Sequence, residues 1–147
     1  MQKGMPIIGD IKKKTEAYMK HYICRSCGNL VAMINDTGKP LGCCSAKMSE
    51  VVPNSTEASR EKHTPTISRT GNKVTVKVGE GEMAHPMTME HMVNWVCLVT
   101  DKGSQRKNLL PGEAPVAVFY LDDNERVLNA FSYCNLHGLW LDGVVKG

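Results

Sequence analysis

Toward its C-terminal end the chain reads Tyr133-Cys134-Asn135-Leu136-His137, a thiolate and an imidazole three residues apart with no acid between them. Cysteine is a soft metal ligand and histidine a borderline one, so the pair suits iron, zinc or copper. Magnesium and calcium call for oxygen ligands, which are missing here. Taken alone, such a pair fits a buried cysteine beside a core or turn histidine just as well. The other candidate ligands decide how it is read.

Of the five histidines, only His21 lies before residue 60. His63 precedes Thr64-Pro65, His85 precedes Pro86, and His91 follows Thr88-Met89-Glu90, so each sits next to a turn, as Cys134 and His137 do. Loop positions at one end of a β-sandwich can converge on a single ion more easily than strand interiors can. Five soft or borderline ligands in one small domain therefore read as a metal site, with single solvated loop histidines as the competing reading. Cys97 and His21 are left over and read as structural.

A second set is closer together. Cys24-Arg25-Ser26-Cys27-Gly28-Asn29 is a CxxC turn in which Gly28 permits the left-handed backbone of a metal knuckle. Residues 30–34 then read as a strand, Asp36-Thr37-Gly38-Lys39-Pro40 as a turn, and Gly42-Cys43-Cys44 completes four thiols within twenty-one residues. One tetrahedral sulfur site is the economical reading. A structural zinc and a vicinal or crossed disulfide are the alternatives. Neighbouring side chains on an extended strand point to opposite faces, so Cys43 and Cys44 can share an ion only where the backbone turns between them.

The elements that must hold these ligands read as mainly β. Lys73-Val74-Thr75-Val76-Lys77-Val78 alternates strictly, and residues 92–99, 116–121, 126–132 and 139–145 are further strand candidates separated by Pro- and Gly-bearing turns. No convincing helix is legible, which suggests an antiparallel β-sandwich of about 85 residues. Residues 53–60, polar and without periodicity, read as a linker between residues 22–52 and 61–147. Residues 1–21 read as an N-terminal extension with a faint helical spacing through Ile8, Ile11, Tyr18 and Tyr22, a possible Gly9-Asp10 cap and a Lys12-Lys13-Lys14 run. A docking arm for an acidic partner is its functional reading, and a solvated extension its bland one.

Composition bounds the partners. The formal charge is +3, and the first twenty residues carry it: five lysines against Asp10 and Glu16, with the rest of the chain balanced. That balance argues against a nucleic-acid-binding surface of any size. There is no apolar run of membrane-spanning length and no secretory signal pattern, so a cytoplasmic location away from the membrane is expected. Cysteines in that compartment favour metal binding over disulfides.

Residues 22–147 resemble the desulfoferrodoxins, the two-iron form of superoxide reductase. The resemblance is carried by Tyr22-Ile23-Cys24-Arg25-Ser26-Cys27-Gly28-Asn29, Cys43-Cys44, Glu61-Lys62-His63, His85-Pro86-Met87 and Glu90-His91, and further along by Leu110-Pro111-Gly112-Glu113-Ala114-Pro115 and Tyr133-Cys134-Asn135-Leu136-His137-Gly138. It implies a small desulforedoxin/rubredoxin-like metal-binding domain followed by an immunoglobulin-like antiparallel β-sandwich of the neelaredoxin type. It also implies one iron held by Cys24, Cys27, Cys43 and Cys44, and a catalytic iron with His63, His85, His91 and His137 in a plane and Cys134 as axial thiolate. Five ligands on an ion that prefers six leave one open position. The resemblance further implies one-electron reduction of superoxide to hydrogen peroxide, an external donor such as rubredoxin, and a homodimer. On surface chemistry alone Glu61 and Lys62 read as ordinary charges; the resemblance makes Lys62 the residue that attracts superoxide and Glu61 the carboxylate that can close the open position. The N-terminal extension and Cys97 depart from the family pattern. An electron-transfer iron protein without this activity, or a zinc ribbon fused to an interaction domain, are the alternatives; both leave the second ligand set without a purpose.

Overall fold

The computed structural model describes residues 18–146. The spacing expected through Ile8 and Ile11, the Gly9-Asp10 cap and the lysine run lie outside them. Contacts divide the chain into two compact units that meet between Val52 and Pro53.

In the first unit, β1 (His21–Ile23) lies between β2 (Leu30–Ala32) and β5 (Ser49–Glu50), antiparallel to both. β2 stops short of the expected end at residue 34. Just beyond it Asp36 accepts the Gly38 N–H at 2.8 Å and turns the chain, leaving Ile34 fully exposed. A second hairpin pairs β3 (Gly42–Cys43) with β4 (Ala46–Lys47). Its two turn residues, Cys44 and Ser45, have φ of 53° and 60°. Positive φ at both central positions matches the twist of two-residue hairpins and supplies the bend that adjacent Cys43 and Cys44 need.

In the second unit a short helix α1 (Arg60–His63) leads into β6 (Pro65–Thr70) and β7 (Lys73–Val78). A 3-10 turn at Gly81–Met83 precedes β8 (Val93–Thr100), β9 (Gly103–Asn108), β10 (Val116–Tyr120), β11 (Val127–Cys134), β12 (Gly138–Asp142) and β13 (Val145–Lys146). Two four-stranded sheets result, ordered β10-β7-β6-β13 and β12-β11-β8-β9. Val74, Val76 and Val78 alternate inward from β7 and meet Ile67, Phe119, Val96, Leu98 and Ala130 in one core shared by both sheets. Each such side chain taken from water contributes roughly 1.5–3 kcal/mol. The pairs are antiparallel except β13 on β6, which is parallel. The strand expected over residues 139–145 is thus two strands, broken at Gly143 and assigned to different sheets.

The edges at β9, β10 and β12 are engaged by polar side chains, which limits unwanted pairing there. Gln105 and Lys107 of β9 donate to the Tyr120 and Val118 carbonyls of β10, joining the edge of one sheet to that of the other. At the opposite edge Asn54 works as a surrogate peptide along β12. Its N–H donates to the Leu139 carbonyl at 2.9 Å, and its side chain exchanges hydrogen bonds with the Leu141 backbone at 2.9 and 3.1 Å. Among the described residues no helix is long and apolar enough to cross a membrane.

Candidate metal centres

In the first unit the knuckle folds as its sequence dictates. The Gly28 N–H donates to the Cys24 carbonyl at 2.9 Å, with Gly28 at φ 84°. The sulfurs of Cys24, Cys27, Cys43 and Cys44 all lie within 4.8 Å of one another. Cys27 Sγ to Cys43 Sγ is 3.7 Å and Cys43 Sγ to Cys44 Sγ is 3.9 Å. Metal–sulfur bonds of about 2.3 Å give a tetrahedron with edges of about 3.8 Å, whereas a disulfide requires about 2.05 Å. All six cysteines are free, so the vicinal or crossed disulfide is ruled out in this state. The backbone N–H of Cys27 lowers the Cys24 thiol to about 6, while the neighbouring thiols, Cys27 first, push Cys44 up to about 12. Four thiols this close cannot all ionise unless a cation replaces their protons.

In the second unit the helix α1 and three loops deliver the imidazoles. His63 closes α1, and its carbonyl accepts the buried Ser132 hydroxyl at 2.9 Å. His85 follows the 3-10 turn, its N–H on the Val78 carbonyl at 3.0 Å. That approach is allowed by Gly79 at φ 76°: a Cβ there would lie 2.1 Å from the Met83 carbonyl oxygen and 2.9 Å from the His85 nitrogen. His91 ends a turn closed by mutual bonds with Thr88. Cys134 ends β11 just past a register shift against β8, and His137 lies in the turn before β12.

The four rings stand at the corners of a near-square. Centroids around the perimeter, His63 to His85 to His91 to His137 and back, are 4.7, 4.7, 5.2 and 4.8 Å apart, with adjacent planes inclined by 75° to 89°. The His63–His91 diagonal is 6.3 Å. The donor atoms of His63, His85, His91 and Cys134 lie within 4.8 Å of one another. His137 turns its Nδ1 to the same place, 3.0 Å from His63 Nε2 and 3.9 Å from Cys134 Sγ. Carbonyls can only accept, so Nδ1 of His63, 2.7 Å from the Ser59 oxygen, and Nδ1 of His85, 2.7 Å from the Pro86 oxygen, must carry hydrogens. Their lone pairs are therefore on Nε2.

Nε2 of His85 and of His91 are buried with no hydrogen-bond partner. Burying an unpaired polar nitrogen is unfavourable by about 1–3 kcal/mol, so two of them at the centre of a ligand square fit a cation. Burial lowers His85 to about 4 and also lowers His63 and His91, which keeps the rings neutral and able to ligate at neutral pH. Burial raises the Cys134 thiol against the pull of the Leu136 and His137 N–H groups, so a cation is what would ionise it.

A model of the desulfoferrodoxin family matches residues 55–142. The chain belongs to the desulfoferrodoxin family. A desulfoferrodoxin homolog of Archaeoglobus fulgidus is 40% identical over 125 residues, 85% of this chain and 97% of that relative. The desulfoferrodoxin of Nitratidesulfovibrio vulgaris is 40% identical over 119 residues, 81% and 91% of the two chains. The crystal structure of the superoxide reductase from Treponema pallidum matches with a TM-score of 0.70 at 38% identity, covering 85% of this chain and 98% of that one. The four-cysteine group and the four-histidine, one-cysteine group match the two iron sites of desulfoferrodoxins.

Glu61 and Lys62 lie on α1 directly before His63. Burial is the main cause that lowers His63 and His91, and Lys62, next to His63 in the chain, adds a smaller lowering to both. Glu61 is exposed, accepts the Ser59 hydroxyl at 3.1 Å, and its carboxyl is held below its ordinary value chiefly by its own backbone N–H. Cys97 is buried in β8, outside both ligand groups. Sequence reasoning missed Trp140, which stacks on His63 at 4.9 Å and donates its indole N–H to the His137 carbonyl at 3.2 Å. Its position three residues after a ligand was the available signal.

Proposed function

We propose that this chain is a superoxide reductase, adding one electron and two protons to superoxide to give hydrogen peroxide without forming dioxygen. His63, His85, His91, His137 and Cys134 would hold its catalytic iron. The reading is carried by the square of four imidazoles, the Cys134 thiol within 4.8 Å of three of their ligand nitrogens and 3.9 Å from the fourth, and two orphaned ring nitrogens. When bound, ferrous iron supplies the electron, and five protein donors on an ion that prefers six leave one position for a small anion. Cys134 contributes one negative charge against four neutral rings, so an ion of charge two keeps a net positive site that favours superoxide over neutral oxygen. Lys62 adds a second cation at the rim, attracting superoxide and helping to bring a proton. Glu61 would be the carboxylate that can close the open position, once it releases Ser59.

Residues 22–52 form the desulforedoxin-like domain, residues 53–60 connect, and residues 61–147 form the catalytic sandwich, with residues 1–21 as an extension. Cys24, Cys27, Cys43 and Cys44 hold the second iron as a relay or accessory. The protein works in the cytoplasm as a homodimer, re-reduced by a donor such as rubredoxin. Metal analysis with an optical spectrum and stopped-flow mixing with superoxide tests this. Expected are two irons per chain, a coloured protein, and peroxide formed without dioxygen. Zinc in both centres, or an iron protein inert to superoxide, overturns it; the latter outcome leaves an electron carrier.

A further inference from the structure

We propose that Asn135 is a positioning residue for His91, a role that rests on the second ligand set holding iron. The ladder between β8 and β11 shifts register between Tyr133 and Cys134, so regular backbone pairing ends where the ligands begin. Beyond the shift Asn135 takes over. Its N–H donates to the Met92 carbonyl at 3.2 Å, its Oδ1 accepts the Met92 N–H at 2.9 Å, and its Nδ2 donates to the Glu90 carbonyl at 3.0 Å. A side-chain amide has the donor and acceptor of a peptide group, so Asn135 continues the ladder and grips the backbone on both sides of His91.

His91 needs this grip more than His63 or His85 does. His63 and His85 each have a ring N–H fixed by a carbonyl, and His137 has its carbonyl held by Trp140. No hydrogen bond to a ring atom fixes His91 among the described residues; its Nε2 is buried and unpartnered. Its ring direction follows from its backbone, which the Thr88 turn holds at His91 itself and Asn135 holds through Glu90 and Met92 on either side. Because Asn135 adjoins Cys134 in the chain, the same residue ties the segment carrying His91 to the one carrying the Cys134 sulfur. Partners that orient metal ligands change affinity about 10–100-fold when removed.

Asn135→Ala removes both side-chain bonds; Asn135→Asp keeps the acceptor for Met92 and loses the donor to Glu90. In the iron-loaded protein both variants are expected to release second-centre iron to a chelator at least about ten-fold faster. The thiolate-to-iron band of that centre is expected to shift, with the four-cysteine centre unchanged. In the metal-free chain the Met92 amide is expected to exchange hydrogen at least about ten-fold faster in Asn135→Ala. That measurement is indifferent to which metal the site takes, so it separates failure of this role from failure of the iron reading. A folded variant of either kind with parental chelator half-life and band position overturns the proposal, as does unchanged Met92 exchange.

Discussion

The ring N–H groups of His63 and His85 are both committed to backbone carbonyls, so their free lone pairs are fixed before any ion arrives. At this scale the thiol of Cys134 is the group whose state depends most on the ion, because burial keeps it protonated without one. Cys134→Ser is expected to abolish the thiolate-to-iron charge-transfer band and slow peroxide formation sharply; survival of the band in the variant's optical spectrum would contradict axial sulfur ligation. Lys62 adjoins the ligand His63 on α1, and its proposed role is to act through space as a rim charge. Lys62→Ala is expected to slow the bimolecular step with superoxide roughly ten-fold at low ionic strength and to flatten its salt dependence, since a lone rim charge is screened over about 10 Å at 0.1 M salt. Lys62→Arg keeps the charge and is expected to recover most of the rate. Equal stopped-flow rates and salt slopes for parent and Lys62→Ala would reduce Lys62 to solvated surface.

Two turns carry the elements that bring ligands together. Gly79 brings β7 against the segment that holds His85, and a methyl group there meets backbone atoms, which cannot rotate away. Gly79→Ala is therefore expected to destabilise the second unit by at least about 2 kcal/mol and to lower iron content at the second centre selectively. Calorimetry and metal analysis read this, and a parental melting temperature would show that the approach is looser than described. In the first unit the Cys44–Ser45 turn holds positive φ at two non-glycine positions. Ser45→Gly is expected to be tolerated, while Ser45→Val places a β-branched residue there and is expected to cost about 1–2 kcal/mol and speed metal loss from the four-cysteine centre. Equal loss from both variants would argue against that backbone conformation.

At the scale of the molecule each ligand set lies wholly within one compact unit, on its own side of Val52–Pro53. Neither set borrows a donor from the other. Cys24→Ser is accordingly expected to remove the first centre's iron and colour while second-order reaction with superoxide persists at the second. Loss of that reaction in a variant whose sandwich stays folded and metal-loaded would show the centres to be coupled.

Much of this was legible in the chain. The strict alternation of residues 73–78 marks β7 residue for residue, because burying one face of a strand imposes a period of two. The ligand types, their placement beside Pro and Gly turns, and the CxxC knuckle all follow from local chemistry. β6 and β9 were not legible: four of the six residues in Pro65–Thr70 are polar, and Gly103–Asn108 is exposed at every position, so neither shows a periodic apolar signal. α1 is four residues long, too short to display a helical repeat. The tertiary structure alone decided that four rings from α1 and three loops, separated by up to 74 residues between His63 and His137, form one square. It also decided that Asn135, Trp140 and Gly79 hold that square in place. Their roles rest on non-local hydrogen bonds, stacking and close backbone approach, which exist only once distant segments have met.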